Sequence, residues 1–168
     1  MIEMLVGVGI GSLILAGAVT FFLFGVRSFG SMANYADLNS RDRNASDVIT
    51  RDIRCALQVV SATPNQIVLQ APPVGGNNNI TYQYDSAART LTRADSVSSR
   101  VLLSGVNSCS FSLYQRANPT NNTYYSFPSA TAGFAKLVAF QWSASRKLVG
   151  SRTETESAQM AMVYLRNR

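Results

Sequence analysis

The first feature of the sequence is an uninterrupted apolar run near its start, from Met4 to Val26. Glu3 precedes this run, and the next charged residue along the chain is Arg27. As a helix, its roughly 23 residues would extend about 34 Å, which is enough to cross the hydrocarbon core of a bilayer. The pattern therefore predicts a membrane-spanning helix that carries one carboxylate at its beginning.

Two other interpretations of the run fit less well. A cleaved secretory signal begins with basic residues and has a shorter apolar core, whereas this segment begins with Glu3 and continues into further helical pattern. A dinucleotide-binding loop needs a preceding strand and a downstream acidic partner, and the run supplies neither. Gly7 and Gly11 instead form a pair of small residues four positions apart, a spacing that lets helices approach closely.

Beyond Arg27 the pattern becomes amphipathic. Apolar residues recur at spacings of three, four or seven positions, with polar residues of both charge signs between them. This pattern predicts that the helix continues past the apolar run, with one face packed on a folded domain. The members of the predicted apolar stripe are Met32, Tyr35, Leu38, Ala45, Ile49, Ile53, Ala56 and Val60.

The predicted end of the helix is set by Pro64, because proline disfavours helical geometry at the residue before it. The spacing predicts one helix from near Ile2 to near Ala62. A helix of that length cannot be buried by one small domain, so its first half must be covered by lipid or by neighbouring protein. The predicted organisation is an apolar helix at 1–27, its amphipathic continuation at 28–63 and a β-rich domain at 64–168.

The rest of the chain consists of short alternating runs separated by turn-forming residues. "ITYQY" and "TLTR", joined by "DSAAR", are typical of a β-hairpin. A loop at 115–133, rich in Asn, Thr, Tyr and Pro, is expected to face solvent and to be available for contacts. Strands are predicted at 66–70, 80–84, 90–93, 100–105, 108–114 and 134–142, and in the closing "SRTETESAQMAMVYLRNR".

Composition argues against catalysis. The formal charge of +6 is carried almost wholly by scattered arginines, with no basic run of the kind that favours nucleic acid. The absence of histidine removes the commonest general base and the commonest metal ligand. No motif places Lys136 or Lys147 beside a serine that either could activate. We expect a protein that is not an enzyme and that needs no cofactor or metal.

The two cysteines, Cys55 and Cys109, lie far apart in sequence. They form no CxxC motif and have no histidine beside them, which argues against a zinc site. They are therefore either buried thiols or the two ends of one disulfide. In an exported domain we expect the disulfide, which would stabilise the fold by roughly 4 kcal/mol on the chain-entropy account.

The opening "IEMLVGVGIGSLILAGAV" resembles the N-terminal signature of type IV pilins and type II secretion pseudopilins. Mature members of that family begin with Phe-Thr-Leu before Ile-Glu, whereas only Met1 stands there in this sequence. The later segments "ITYQYDSAARTLTR", "VLLSGVNSCSFSLY" and "VYLRNR" are similar to the β-rich domains of W-type minor pilins and J-type pseudopilins. The apolar run lacks the proline of many major pilins, which favours a pseudopilin-like or minor subunit.

The resemblance implies an α+β, pilin-like fold in which a long N-terminal helix packs on an antiparallel β-sheet domain. It implies a structural filament subunit, stored in the bacterial inner membrane and then polymerised into an extracellular pilus or a periplasmic pseudopilus. Glu3 matches the family glutamate that pairs with the N-terminal amine, often methylated, of a neighbouring subunit. The partners implied are other pilin-like subunits, an inner-membrane assembly platform and a separate assembly ATPase.

Two alternatives to a bulk filament subunit remain. One is a low-copy minor or tip subunit that primes assembly, which the W-type and J-type likeness favours. The other is a membrane-anchored extracytoplasmic module for adhesion or DNA capture. A nucleic-acid partner would need a cluster of basic and aromatic residues, and no such cluster stands out in the sequence.

Overall fold

The computed structural model describes residues 1–72, 78–116, 127–147 and 154–166. A single long helix, α1 (Ile2–Cys55, 54 residues), opens the chain, and eight strands follow it within the described ranges. At 1.5 Å per residue, α1 is about 80 Å long, which exceeds the diameter of a small domain. The strands are β1 (Gln58–Thr63), β2 (Gln66–Gln70), β3 (Asn79–Asp85), β4 (Thr90–Ala94), β5 (Ser99–Ser104), β6 (Val106–Tyr114), β7 (Leu137–Lys147) and β8 (Glu154–Tyr164).

The strands form two antiparallel sheets. One is a five-stranded meander in the order β1-β2-β3-β4-β5, and the other is three-stranded in the order β6-β7-β8. The C-terminal half of α1 packs mainly on β8, with further contacts to β5 and β7. The predicted α+β arrangement, a long N-terminal helix on an antiparallel β-rich domain, is confirmed and is consistent with a pilin-like fold.

The helix ends earlier than the sequence pattern predicts. Ala56 is already extended, with φ −65° and ψ 142°, so α1 stops at Cys55 rather than near Ala62. The segment that follows forms β1, which pairs with β2 across a tight turn at Pro64 and Asn65. Pro64 therefore ends a strand and not a helix. The sequence pattern could not distinguish the two, because the apolar residues of this segment are compatible with both helical and strand periods.

The other predicted strands are confirmed within a few residues of the predicted ends. The largest shift is at the 134–142 run, where Phe134 is the last residue of a short 3₁₀ helix (Ala132–Phe134) and β7 begins only at Leu137. Most of the predicted solvent-facing loop, at 117–126, lies outside the described residues.

The hydrophobic core lies between the C-terminal half of α1 and the inner faces of both sheets. The helix contributes Ala45, Ile49 and Ile53, each no more than 2% exposed. The five-stranded sheet contributes one alternating set of side chains, and the three-stranded sheet contributes another. Those core residues include Ile67, Leu69, Tyr82, Leu91 and Leu103 from the first sheet and Cys109, Phe111, Phe140, Trp142 and Val163 from the second.

The chain passes from one sheet to the other at Gly105, between β5 and β6. Its φ of +77° lies in the left-handed region, and a Cβ atom there would lie 2.6 Å from the backbone oxygen of Ser145. The Gly105 carbonyl accepts a hydrogen bond from the Ser145 amide at 2.8 Å. Glycine is required at this position because any side chain would collide with β7.

Candidate assembly helix

The first half of α1, residues 2–26, is an apolar helical segment that packs on no other element of the described chain, and we call it the apolar rod. Every large apolar side chain from Ile2 to Val26 is between 50% and 80% exposed. An 18-residue window within α1 has a mean hydropathy of 2.2, and none of it is buried. In the described part of the chain, α1 is the one helix long and apolar enough to cross a membrane. Because so much exposed apolar surface is unfavourable in water, this segment requires lipid or protein around it.

The rod has few polar groups, and the two hydroxyls within it bond to its own backbone. Ser12 Oγ donates to the Gly9 carbonyl at 2.8 Å, and Thr20 Oγ1 donates to the Ala16 carbonyl at 2.8 Å. A hydroxyl satisfied in this way needs no water, so both residues are compatible with an apolar environment.

Glu3 lies exposed in the first turn of α1, where the helix dipole favours a negative charge. Among the described residues it forms no ion pair within its own chain. Gly7 and Gly11 lie one turn apart on one face of the helix, and nothing lies within 4 Å of a Cβ built on either. The structure therefore places all three predicted assembly residues on a free helix surface.

The C-terminal half of α1 is held by the β-rich domain. The residues of α1 that are buried are Leu38, Asp42, Ala45, Ile49, Asp52 and Ile53. Of the predicted stripe members within α1, Met32 and Tyr35 are not part of this face, since they are 68% and 57% exposed. Ala56 and Val60, also predicted for the stripe, lie beyond the end of α1. Leu38 is therefore the first buried residue of the helix, about 18 Å along the axis from the last residue of the apolar rod.

Asp42 is an unexpected member of the buried face. It is fully buried, and its Oδ1 atom accepts a hydrogen bond from Trp142 Nε1 at 3.0 Å. Trp142 stacks in parallel on Phe140, with ring centroids 5.2 Å apart. The second oxygen, Asp42 Oδ2, has no hydrogen-bond partner among the described residues. This contact joins the helix to the centre of the three-stranded sheet.

A second buried aspartate joins the helix to the other sheet. Asp52 Oδ2 accepts hydrogen bonds from Tyr82 Oη at 2.6 Å and from Arg93 Nε at 2.7 Å. Arg93 also donates to Asp95 Oδ2 at 2.5 Å, so the guanidinium lies between two carboxylates. The network links α1 to β3 and β4 through charge-assisted hydrogen bonds.

The network shifts the titration of three of its members. Burial, followed by the hydrogen bond to Asp52, raises the pKa of Tyr82. Burial opposes the charge on Arg93, but the hydrogen bonds to Asp52 and Asp95 outweigh it and raise its pKa. The hydrogen bond from Arg93, together with the backbone amides of Ser98 and Val97, holds the pKa of Asp95 well below its usual range.

An aspartate that forms ion pairs with two exposed arginines lies at the end of the docked region nearest the apolar rod. Asp37 accepts a hydrogen bond from Arg41 Nε at 3.1 Å, one turn along the helix, and a second from Arg146 at the end of β7. The hydrogen bond from Arg41 is the main cause of a lowered pKa at Asp37, and the charge of Arg146 adds to it. The pair with Arg146 ties the helix to the three-stranded sheet.

Sequence reasoning missed these polar contacts. The available signal was the position of Asp42 and Asp52, which fall on the helical face defined by Leu38, Ala45 and Ile49. An aspartate on an otherwise apolar face needs a partner in the packed domain. The sequence does not indicate which strand residues supply it.

The predicted disulfide is not present in the structure. Both cysteines are free thiols; Cys55 is exposed at the end of α1, and Cys109 is buried on β6. Burial raises the pKa of Cys109 to about 12, which keeps the thiol protonated at neutral pH. The helix and the sheets are joined instead by the apolar core and the aspartate contacts.

Among the described residues, no group of three or more His, Cys, Asp or Glu side chains is placed to hold a metal ion. No protein-family model matches this sequence, and comparisons with curated proteins and with solved structures find no match either. The feature that remains for a functional conclusion is the free apolar half of α1, with Glu3 at its start.

Proposed function

We propose that the protein is a structural subunit of a type IV pilus-like filament or a type II secretion pseudopilus. In this proposal the apolar half of α1 lies in the bacterial inner membrane before assembly and in the filament core afterwards. The observation that carries the proposal is the length of exposed apolar helix that projects from a folded β-rich domain, with Glu3 in its first turn.

The two halves of α1 suit two different tasks. The docked half, around Ala45 and Ile49, fixes the orientation of the β-rich domain on the helix. The free half can exchange one apolar environment for another at little net cost, because lipid tails and packed apolar side chains are similar solvents. A subunit built in this way can move from membrane to filament without refolding, and the β-rich domain would then form the outer surface.

In this proposal Glu3 fixes the axial position of each incoming subunit relative to its neighbour. A carboxylate in an apolar bundle is unfavourable unless a cation neutralises it. In a stack of parallel helices, the protonated N-terminal amine of a neighbouring subunit is the natural partner. The pair forms only when the incoming subunit sits at the correct height, so a mismatched subunit leaves a buried charge without a partner, which costs about 3–5 kcal/mol.

The proposal implies a set of partners and two locations. The subunit would pack against other pilin-like subunits and would be inserted by an inner-membrane assembly platform. A separate ATPase would supply the energy, and methylation would modify the N-terminal amine. The assembled form would be an extracellular pilus or a periplasmic pseudopilus.

The role of Glu3 is tested by replacing it with Ala and with Gln and measuring filament yield by shearing and electron microscopy. We expect both variants to accumulate in the membrane at normal levels and to lose filaments. Asp47→Ala is a matched control, because Asp47 is an exposed acid on the docked half of the same helix. Filaments of normal yield and shape from both Glu3 variants would refute the assigned role.

The glycine pair is tested separately. We expect Gly11→Leu to reduce filament yield, because a large side chain there keeps neighbouring helices apart. Gly9→Leu is the control, since Gly9 lies two residues from both Gly7 and Gly11 and so faces another side of the helix. An equal effect of both substitutions would show that overall helix bulk, and not this face, matters.

A low-copy minor or tip subunit is the second candidate. The likeness of the strand segments to W-type and J-type proteins favours it. Counting copies per filament by quantitative mass spectrometry separates the two: a major subunit dominates the sheared fraction, and a priming subunit is present in only a few copies.

A further inference from the structure

A groove lies at the junction between the apolar rod and the β-rich domain. It has a volume of about 400 Å³ and opens between the side of α1 and the end of β7. Small residues on the helix leave room there for a ligand beside the backbone. The lining residues are Val26, Arg27, Gly30, Ala33, Asn34, Arg146 and Lys147.

The groove is lined by basic side chains. Arg27, Arg146 and Lys147 contribute three positive charges to its wall, and Asn34 adds an amide. The acid nearest to it along the helix is Asp37, which Arg41 and Arg146 both contact. Glu154 stands opposite Lys147 in the backbone ladder of β7 and β8. Among the described residues, the lining of the groove includes three cations and no acid.

If the apolar run spans the bilayer, the groove lies at the height of a membrane surface. Val26 is the last residue of the apolar run, so Arg27 begins the polar layer if the run spans the hydrocarbon core. Each headgroup layer is roughly 5–8 Å thick, which corresponds to about three to five helical residues. Arg27 and Gly30 fall within that layer, and Arg146 and Lys147 line the same groove from β7.

We propose that this groove binds the phosphate of an anionic phospholipid headgroup. The guanidinium of Arg27 would contact the phosphate oxygens and the two cations of β7 would add positive charge to the groove, while Val26 continues the groove into the acyl region. A lipid held in this way would fix the height of the β-rich domain above the bilayer before assembly. The inference rests on the membrane-stored state of the proposed function, and it is independent of the Glu3 pairing.

The test uses the full chain reconstituted in nanodiscs with equal amounts of phosphatidylglycerol and phosphatidylcholine. The ratio of the two lipids retained after mild extraction is measured by native mass spectrometry. The test variant is Arg27→Gln combined with Lys147→Gln. Its control, Arg51→Gln with Arg54→Gln, removes the same charge from exposed residues about 36 Å or more farther along the helix.

We expect the wild type and the control to retain phosphatidylglycerol preferentially. In the groove variant, the ratio of retained phosphatidylglycerol to phosphatidylcholine should fall about fivefold for each cation removed, as expected for charges at a membrane surface. Arg27→Gln alone, which leaves β7 unchanged, should lose about fivefold. An unchanged ratio in the groove variants, or an equal loss in the control, would overturn the inference.

Two further arms separate the sources of failure. Addition of inorganic phosphate should leave the retained lipid in place, and its displacement by millimolar phosphate would show that the groove takes the free anion instead. If the wild type does not enter the nanodisc at all, the membrane-stored state is wrong and this inference falls with it. Loss of lipid preference with normal filament formation leaves the proposed function intact.

Discussion

The buried network around Asp52 makes a sharp prediction about what holds the helix to the β-rich domain. Asp52→Ala removes a carboxylate that accepts hydrogen bonds from Tyr82 at 2.6 Å and from Arg93 at 2.7 Å. Arg93 and Asp52 retain only 14% and 10% of their side-chain exposure, so water cannot fully replace the lost contacts.

The size of the effect follows from what the substitution leaves behind. Breaking a buried ion pair by removing one partner costs about 3–5 kcal/mol, because the other charge stays buried. Arg93 keeps its second contact with Asp95, which places the expected loss near the lower end, about 3 kcal/mol. Tyr82→Phe removes one hydrogen bond to a charged group and should cost about 1.5–3 kcal/mol.

The assay is equilibrium denaturation of the full chain in mild detergent, followed by the fluorescence of Trp142. Trp142 is the only tryptophan, and it lies in the core between the sheet and the helix. Asp47→Ala serves as the control, because Asp47 is an exposed acid on the same helix and its loss should change stability by less than about 0.5 kcal/mol.

The double variant Asp52→Ala with Tyr82→Phe completes the test. If the two residues interact as the structure shows, the double variant should lose less stability than the sum of the two single losses. A loss below about 0.5 kcal/mol for Asp52→Ala, or strict additivity in the double variant, would refute the reasoning.

Three other predictions follow from single residues. Gly105→Ala should destabilise the fold by about 1–3 kcal/mol, because the φ of Gly105 is +77° and a Cβ there would collide with the backbone of Ser145. The control Gly133→Ala should have little effect, since nothing lies within 4 Å of a Cβ built on Gly133, and equal losses of stability in the two variants would contradict this prediction. A thiol reagent should label Cys55 at once and Cys109 only after unfolding, and two thiols that react only after reduction would indicate a disulfide. Burial raises the pKa of Cys109 in the folded protein to about 12, whereas the thiol of the unfolded chain has a pKa of about 8.5. The stability that the protonated thiol contributes is therefore complete below the unfolded pKa and is lost as pH rises toward 12, so that the free energy of unfolding should fall by up to about 1.4 kcal/mol per pH unit in this range. An identical pH dependence of stability in Cys109→Ala would contradict this explanation.

The strands were predictable because their periods are unambiguous. In "ITYQY" the alternate positions Ile80, Tyr82 and Tyr84 are buried, as a period of two requires. The segment around Val59 was not, because its apolar residues fit a helix as well as a strand and Pro64 is compatible with the end of either. Only the pairing of β1 with β2 decides between them, and that contact is tertiary.

Part of the candidate site could likewise be predicted from the sequence, and part could not. The apolar rod and its carboxylate are local features, so the sequence alone indicates Glu3, Gly7 and Gly11. The groove at Arg27 and Arg146 depends on where β7 meets the helix, and residues more than one hundred positions apart form it. No local pattern contains that information.

The most direct test of the proposed assembly role is photo-cross-linking from the apolar rod. A photoreactive amino acid at Leu13, which is 74% exposed, is activated in cells and in sheared filaments, and the products are identified by mass spectrometry. We predict cross-links from Leu13 to the N-terminal helix of another pilin-like subunit in the filament fraction, and to lipid in the membrane fraction. Filaments that contain the protein but give no helix-to-helix cross-link from Leu13 would contradict the proposal that this helix forms the filament core.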